Sequence, residues 1–233
     1  MQLTRNRRLT AAIVALALPL TLAAGTNAYL EHQAEHRIAA AAAARLHPAE
    51  NVTATIDDPF AGLAALRGKL GSVTIHADDV RRQGLTLALQ AHLNHVTTKG
   101  HTAGGTADVT IPYKELGQRL SPANSPTLAP GTDNQELTLT TTAGNLGIPV
   151  TIHTRLTTTS RQLTLTPTVI TLLGRDIPAQ DLARLPAAST LDAKIQPRTV
   201  TLKQLPHNVT LTSAGAVREG LVLHLDLAPT TRT

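Results

Sequence analysis

Ten histidines stand in a chain of 233 residues that has no cysteine, so a transition-metal site could use only imidazole and carboxylate ligands. His32 and His36 are four apart and share a helix face, a legitimate spacing for two ligands. Glu35 is the neighbouring carboxylate, and the group reads as a solvated helix face. His92 and His95 fall in a strand pattern at an odd separation, so they are expected on opposite faces, where they cannot chelate together. The other histidines are scattered, and neither a metal nor a cofactor is expected. Hydrolytic signatures are missing as well. There is no G-x-S-x-G elbow and no thiol nucleophile, and Gly71-Ser72-Val73 and Thr212-Ser213-Ala214 sit in strand or turn context without a histidine partner. Asp78-Asp79 closes a strand pattern. Adjacent residues there face opposite ways, so the two do not flank one bond as a glycosidase pair does. Asp57-Asp58-Pro59 reads as a turn. No glycine-rich phosphate loop follows a strand and opens a helix. The expectation is a protein that is not an enzyme.

The elements that carry these residues are built from an unusual composition. Hydrophobic residues reach 42% but aromatics only 1%, without Trp, so the core must be Leu, Val, Ile and Ala. Few rings are present to stack on bases or sugars, which argues against nucleic acid and carbohydrate as partners. The 36 Thr residues, mostly after residue 137, favour strands over helices. At the N-terminus Arg5, Arg7 and Arg8 precede a 16-residue apolar stretch, Leu9 to Ala24, ending in Ala23-Ala24-Gly25. Residues 1–27 therefore read as a signal peptide or a retained membrane anchor; about 20 apolar residues are needed to span. The expected location is the cell envelope on the periplasmic side of the plasma membrane, with the chain anchored by this segment or released after cleavage. Removing the three arginines would lower the formal charge from +5 to +2, so the basic balance is a poor pointer to polyanions. An exported chain without cysteine must rely on packing rather than disulfides.

Residues 28–46, "AYLEHQAEHRIAAAAAARL", predict a helix, with Pro48 just beyond. Leu30, Ala34, Ile38 and Arg45 recur at helical spacing; the helix is either a surface stalk or lies in the concavity of a curved sheet. Thereafter the period changes from 3.6 to 2. Strands are predicted at 51–56, 72–80, 85–93, 105–113, 135–142, 148–159, 162–173, 198–205, 208–214 and 220–227, with short helices at Lys114–Leu120 and Pro178–Leu185. Most strands are apolar on one face and Thr-rich on the other. The expected fold is α+β: a large, curved, mostly antiparallel sheet covered by or wrapped around the N-terminal helix, within a single β-rich domain at 49–233 after the helix at 28–48. An interior of aliphatic side chains without rings suits an acyl chain, which needs dry volume rather than directed hydrogen bonds. The same faces could instead pack wholly against one another.

One segment adds to this reading. The run "DDPFAGLAALRGKLGSVTIHADDV" (57–80) holds the only phenylalanine, Phe60. With "GTADVTIPYKEL", "GIPVTIHTRL" and "LKQLPHNVTLTSAGAVREGLVLHL" in the same order, it resembles the actinobacterial LmeA-family phospholipid-binding proteins. Pro59, Phe60, Leu66, Gly68, Leu70, Val73, Ile75, Ala77 and Val80 meet the family pattern early; Leu205, Pro206, Val209, Leu211, Gly220, Leu221 and Leu223 meet it late. The resemblance implies an exported envelope protein that binds phospholipid, with a fold like the tubular BPI-type lipid-binding modules and a link to envelope lipid or lipoglycan assembly. Phospholipid and the membrane surface are then the expected partners; no protein partner is identifiable. The expected lipid contacts are Phe60, Leu63 and Leu66 at an entrance, and Leu87, Leu89, Ile111, Leu139, Ile152 and Leu223 as lining. A one-residue error in face would exchange inner and outer sets. The competing reading is an envelope scaffold whose core is filled and holds no lipid.

Overall fold

The computed structural model describes residues 27–58, 67–82, 84–121, 128–143, 147–182, 196–202 and 205–230. The expected N-terminal export segment therefore lies outside the described residues, as do 59–66 with Phe60, Leu63 and Leu66. No helix among the described residues is long and apolar enough to cross a membrane. Helix α1 (Asn27–Leu46) leads into strands β1 (Glu50–Ile56), β2 (Lys69–Arg82), β3 (Leu85–Thr97) and β4 (Gly105–Pro112). Helix α2 (Tyr113–Leu120) follows, then β5 (Ala129–Asp133), β6 (Glu136–Ala143), β7 (Ile148–Thr159), β8 (Gln162–Leu172) and β9 (Arg175–Pro178). The short α3 (Ala179–Leu182) precedes β10 (Arg198–Thr201), β11 (Val209–Val217) and β12 (Gly220–Leu227). The protein is α+β and dominated by antiparallel strands, as the alternation predicts. The strands form two sheets, one ordered β1-β2-β3-β4-β12-β11 and one ordered β10-β8-β7-β6-β5, with β9 also paired to β8. The chain divides into two compact units: Met1–Val109, Lys203–Thr210 and His224–Thr233, and then Thr110–Leu202 with Leu211–Leu223.

In the first unit α1 buries Ala34, Ile38, Ala42 and Leu46, a straight row at i+4 spacing, against β1 and β2. Alanine at two of these positions lets the helix backbone approach closely, so α1 is packed on the sheet rather than standing free as a stalk. Its end is fixed by Arg82, whose guanidinium donates to the carbonyls of Arg45 (3.1 Å), His47 (3.1 Å) and Arg81 (3.0 Å). A cation there satisfies last-turn carbonyls and opposes the negative end of the helix dipole. Burial lowers the Arg82 pKa from its ordinary value. Midway along the helix, the Ile56 backbone N–H donates to Glu35 Oε1 at 3.2 Å.

β2 and β3 run longer than predicted because bulges, not strand ends, interrupt their alternation. Asp79 (φ 50°) and His95 (φ 49°) are left-handed, as is Asn51 (φ 50°) in β1, and pairing register shifts at each place. Asn, Asp and His tolerate this conformation better than most residues. Each bulge resets the phase, so Ala77 and Val80 are both buried, and so are Leu93 and Val96. Asp79 thus sits inside a strand that continues to Arg82, not at its end. Gly105 is the first residue of β4, where the predicted strand also begins. A Cβ there would run into the His92 carbonyl oxygen, so glycine allows the two backbones to meet.

In the second unit β5 to β8 form an antiparallel meander. β5 arises from "APGTD", where proline and glycine suggested a turn; such a strand is tolerated at a sheet edge, where its missing N–H costs no ladder bond. β11 is tied to this sheet through Leu211 N–H to Ser160 O (2.9 Å), Thr158 Oγ1 to Thr212 O (2.9 Å) and Thr132 Oγ1 to Ala216 O (3.2 Å). Tyr113 Oη donates to Val217 O at 2.6 Å and pins the start of α2.

Candidate functional site

Pairing register fixes which side chains share a face of the second unit's sheet. Leu137, Leu139 and Thr141 of β6 stand opposite Thr154, Ile152 and Val150 of β7. Those in turn stand opposite Pro167, Ile170 and Leu172 of β8. None of these nine side chains is ionisable. Two of them are polar: Thr154 is 1% exposed and Thr141 3%, and neither hydroxyl has a hydrogen-bond partner. A buried hydroxyl without a partner is costly, so each is a donor awaiting an acceptor. They lie two alternations apart on adjacent strands, about 13 Å along the sheet at the usual rise.

On the opposite face of the same sheet several hydroxyls are paired. Thr140 meets Thr151 (3.5 Å) and Thr164 meets Thr199 (3.0 Å). Thr171 donates to Asp176 Oδ1 (2.6 Å) and lies 3.3 Å from His153 Nε2, whose Nδ1 is 4.0 Å from Glu136. The alternation predicts Thr-rich faces opposite apolar ones in most strands. Thr141 and Thr154 depart from that pattern. The triplet Thr140-Thr141-Thr142 is a visible signal, because one member must break the alternation.

Histidine–carboxylate pairs gather in the first unit. His224 Nδ1 lies 2.6 Å from Asp108 Oδ1, and His76 Nε2 lies 3.2 Å from Asp78 Oδ1. Asp57 Oδ2 accepts from Thr74 Oγ1 (2.9 Å) and stands 3.5 Å from His92 Nδ1, which is 3.1 Å from the same Thr74 hydroxyl. This trio is not a nucleophile relay. A relay needs the hydroxyl and the carboxylate on different ring nitrogens, and here both use Nδ1. His92 and His95 are both exposed rather than on opposite faces, because the His95 bulge resets the alternation between them. His32 and His36 do converge, Nε2 to Nε2 at 3.2 Å, but among the described residues no group of three potential ligands forms.

An aliphatic face with buried hydrogen-bond donors and no charge is compatible with a lipid. A family model described as LmeA-like phospholipid-binding matches residues 25–226. The chain belongs to that family. No curated protein and no solved structure matches it.

Within this LmeA-like chain the expected contact residues fall in three places. Leu139 and Ile152 are opposite one another on the apolar face of the second unit, both buried. Leu223 is buried and Ile111 half-buried, also in that unit; a Cβ on Gly220 would strike the Ile111 carbonyl oxygen, so β4 and β12 meet closely there. Leu87 and Leu89 belong to the first unit, opposite Val80 and Ala77 of β2, with Leu89 buried and Leu87 half-buried. The described geometry brings Leu139 and Ile152 together as direct neighbours. The Thr141 and Thr154 hydroxyls beside them were not foreseen.

Proposed function

We propose that this LmeA-like protein holds phospholipid acyl chains on the apolar face formed by β6, β7 and β8. Leu139 and Ile152 contribute the lining there, and the Thr141 and Thr154 hydroxyls, about 13 Å apart, each donate to an ester oxygen of a separate lipid. Ile111 and Leu223 are further candidates in the same unit and Leu87 and Leu89 in the first; Phe60, Leu63 and Leu66 lie outside the described residues. The observation that carries this placement is the pair of unpartnered hydroxyls on an otherwise aliphatic, uncharged face. Each CH₂ moved from water to such a face contributes about 0.8 kcal/mol, so one chain supplies ample affinity without a charged clamp. The protein acts without catalysis, after export to the envelope, at the membrane surface, in the assembly of envelope lipids.

Native mass spectrometry of the full chain purified from a bacterial host tests the reading. The expected spectrum carries phospholipid adducts, and vesicles raise the melting temperature of delipidated protein. A lipid-free spectrum with no thermal shift overturns it. That outcome would favour a structural scaffold, the reading suggested by the full burial of Leu137, Val150 and Ile152 within the protein.

A further inference from the structure

We infer that the two-residue turn between β8 and β9, Leu173-Gly174, is where the protein touches a phospholipid bilayer. The inference rests on the phospholipid reading above and adds the point of membrane contact. Leu173 is 73% exposed, the most exposed of the large hydrophobic side chains among the described residues. Its backbone is left-handed (φ 52°), as is that of Gly174 (φ 75°). Hairpin turns with both central residues at positive φ favour Asn, Asp or Gly in the first position. The β5–β6 turn of the same sheet obeys this with Asn134 (φ 48°) before Gln135 (φ 67°). Leucine at the equivalent place has an unfavourable backbone conformation and leaves an isobutyl group in water. Hydrocarbon relieves the second of these disadvantages.

Two neighbouring features favour a bilayer as occupant. Leu172, next to the tip, stands opposite Val150, which stands opposite Thr141. The tip therefore opens onto the end of the apolar face that holds the unpartnered Thr141 hydroxyl, where a chain entering from the membrane would first be received. Arg175, exposed and paired across the turn with Leu172, places a cation beside the anchor for anionic headgroups. The nearby acid, Asp176, is engaged by the Thr171 hydroxyl.

The chain lacks cysteine, so a single introduced thiol can report on one site. Leu173→Cys and Ser160→Cys in the full chain would each carry a nitrobenzoxadiazole label. Ser160 lies in the β7–β8 turn at the far end of β8, about 35 Å away at the usual rise. With vesicles of phosphatidylglycerol and phosphatidylcholine, the label at 173 should shift to the blue and be quenched by lipid-borne nitroxide. The label at 160 should do neither. Because the readout is local, attachment through the N-terminal segment does not imitate it. Leu173→Asn supplies an independent arm. It suits the turn, so the melting temperature should hold or rise, while lipid transfer between vesicles slows by about tenfold, the worth of burying one leucine. A label at 173 that stays in water, or undiminished transfer by the Leu173→Asn variant, overturns the inference. Protein that inserts at 173 yet carries no phospholipid in native mass spectrometry would sink the lipid-holding reading and leave the membrane contact standing.

Discussion

The two units use the same antiparallel strands but close their hydrogen bonds differently. In the first, the loose ends are met: Arg82 takes up the carbonyls at the end of α1, Glu35 accepts the Ile56 amide, and exposed histidines sit against carboxylates. In the second, threonines pair across strands on one face, while on the other two buried hydroxyls have no partner among the described residues. A sheet that completes its own polar contacts reads as scaffold. A sheet that leaves donors unmatched in an apolar setting fits the receptacle proposed above.

Four substitutions would break or sharpen that contrast. The largest effect is expected from Ile38→Ala, which empties the centre of the α1 row, where Ile38 is 1% exposed. It should cost about 2–5 kcal/mol in denaturant unfolding, and a loss below 1 kcal/mol would mean that α1 is dispensable to the first unit. Arg82→Ala removes three charge-assisted bonds and should cost about 2 kcal/mol; Arg82→Lys should restore only part of it, because a lysine cannot span the same carbonyls. Thr154→Val should act in the opposite direction. Deleting an unpartnered buried hydroxyl should stabilise the lipid-free protein by about 1 kcal/mol, and it should shrink the melting-temperature gain on adding diacyl phospholipid. Stabilisation with an undiminished lipid response would separate the hydroxyl from the ligand. The smallest change is Tyr113→Phe, which loses the bond to Val217 and should cost about 1 kcal/mol. Burial, and secondarily Glu219, raises the Tyr113 pKa, against a lowering by Thr132. A raised folded pKa means that stability is full below the ordinary value of 10.0 and falls as pH rises through the higher folded value. The wild-type protein should show that alkaline decline, and the phenylalanine variant should lose Tyr113's part of it.

Much of this architecture was legible in the sequence, because a period of two in a Leu/Val/Thr chain has few other meanings. β6, β7, β8 and β12 fall within a residue or so of their expected positions, and α1 and α2 likewise. What escaped has identifiable causes. Asn51, Asp79 and His95 each add a left-handed residue, and nothing in the local pattern separates such a bulge from a strand end. β5 was hidden by Pro130 and Gly131, which mark a turn unless the segment lies at an edge. The site was legible in kind but not in detail. Leu139 and Ile152 followed from alternation, whereas their polar companions Thr141 and Thr154 emerged only once cross-strand register was fixed. Resemblance identified the family, most of it through the run 57–80, of which 59–66 with Phe60 lies outside the described residues.

The lengths of the strands have a further consequence, for self-association. Exposed sheet edges are templates on which further copies can polymerise. The long strands, β2, β3, β7 and β8, all have neighbours on both sides. The second sheet ends in β5, five residues interrupted by Pro130, and the outer side of β8 is shared by β9 and β10, four residues each. β1, at the rim of the first sheet, is seven residues long and broken by the Asn51 bulge. The rims at β1, β5, β9 and β10 are thereby too short and too irregular to seed a fibre, and the longer rim β11 (Val209–Val217) is hydrogen-bonded by Ser160, Thr158 and Thr132.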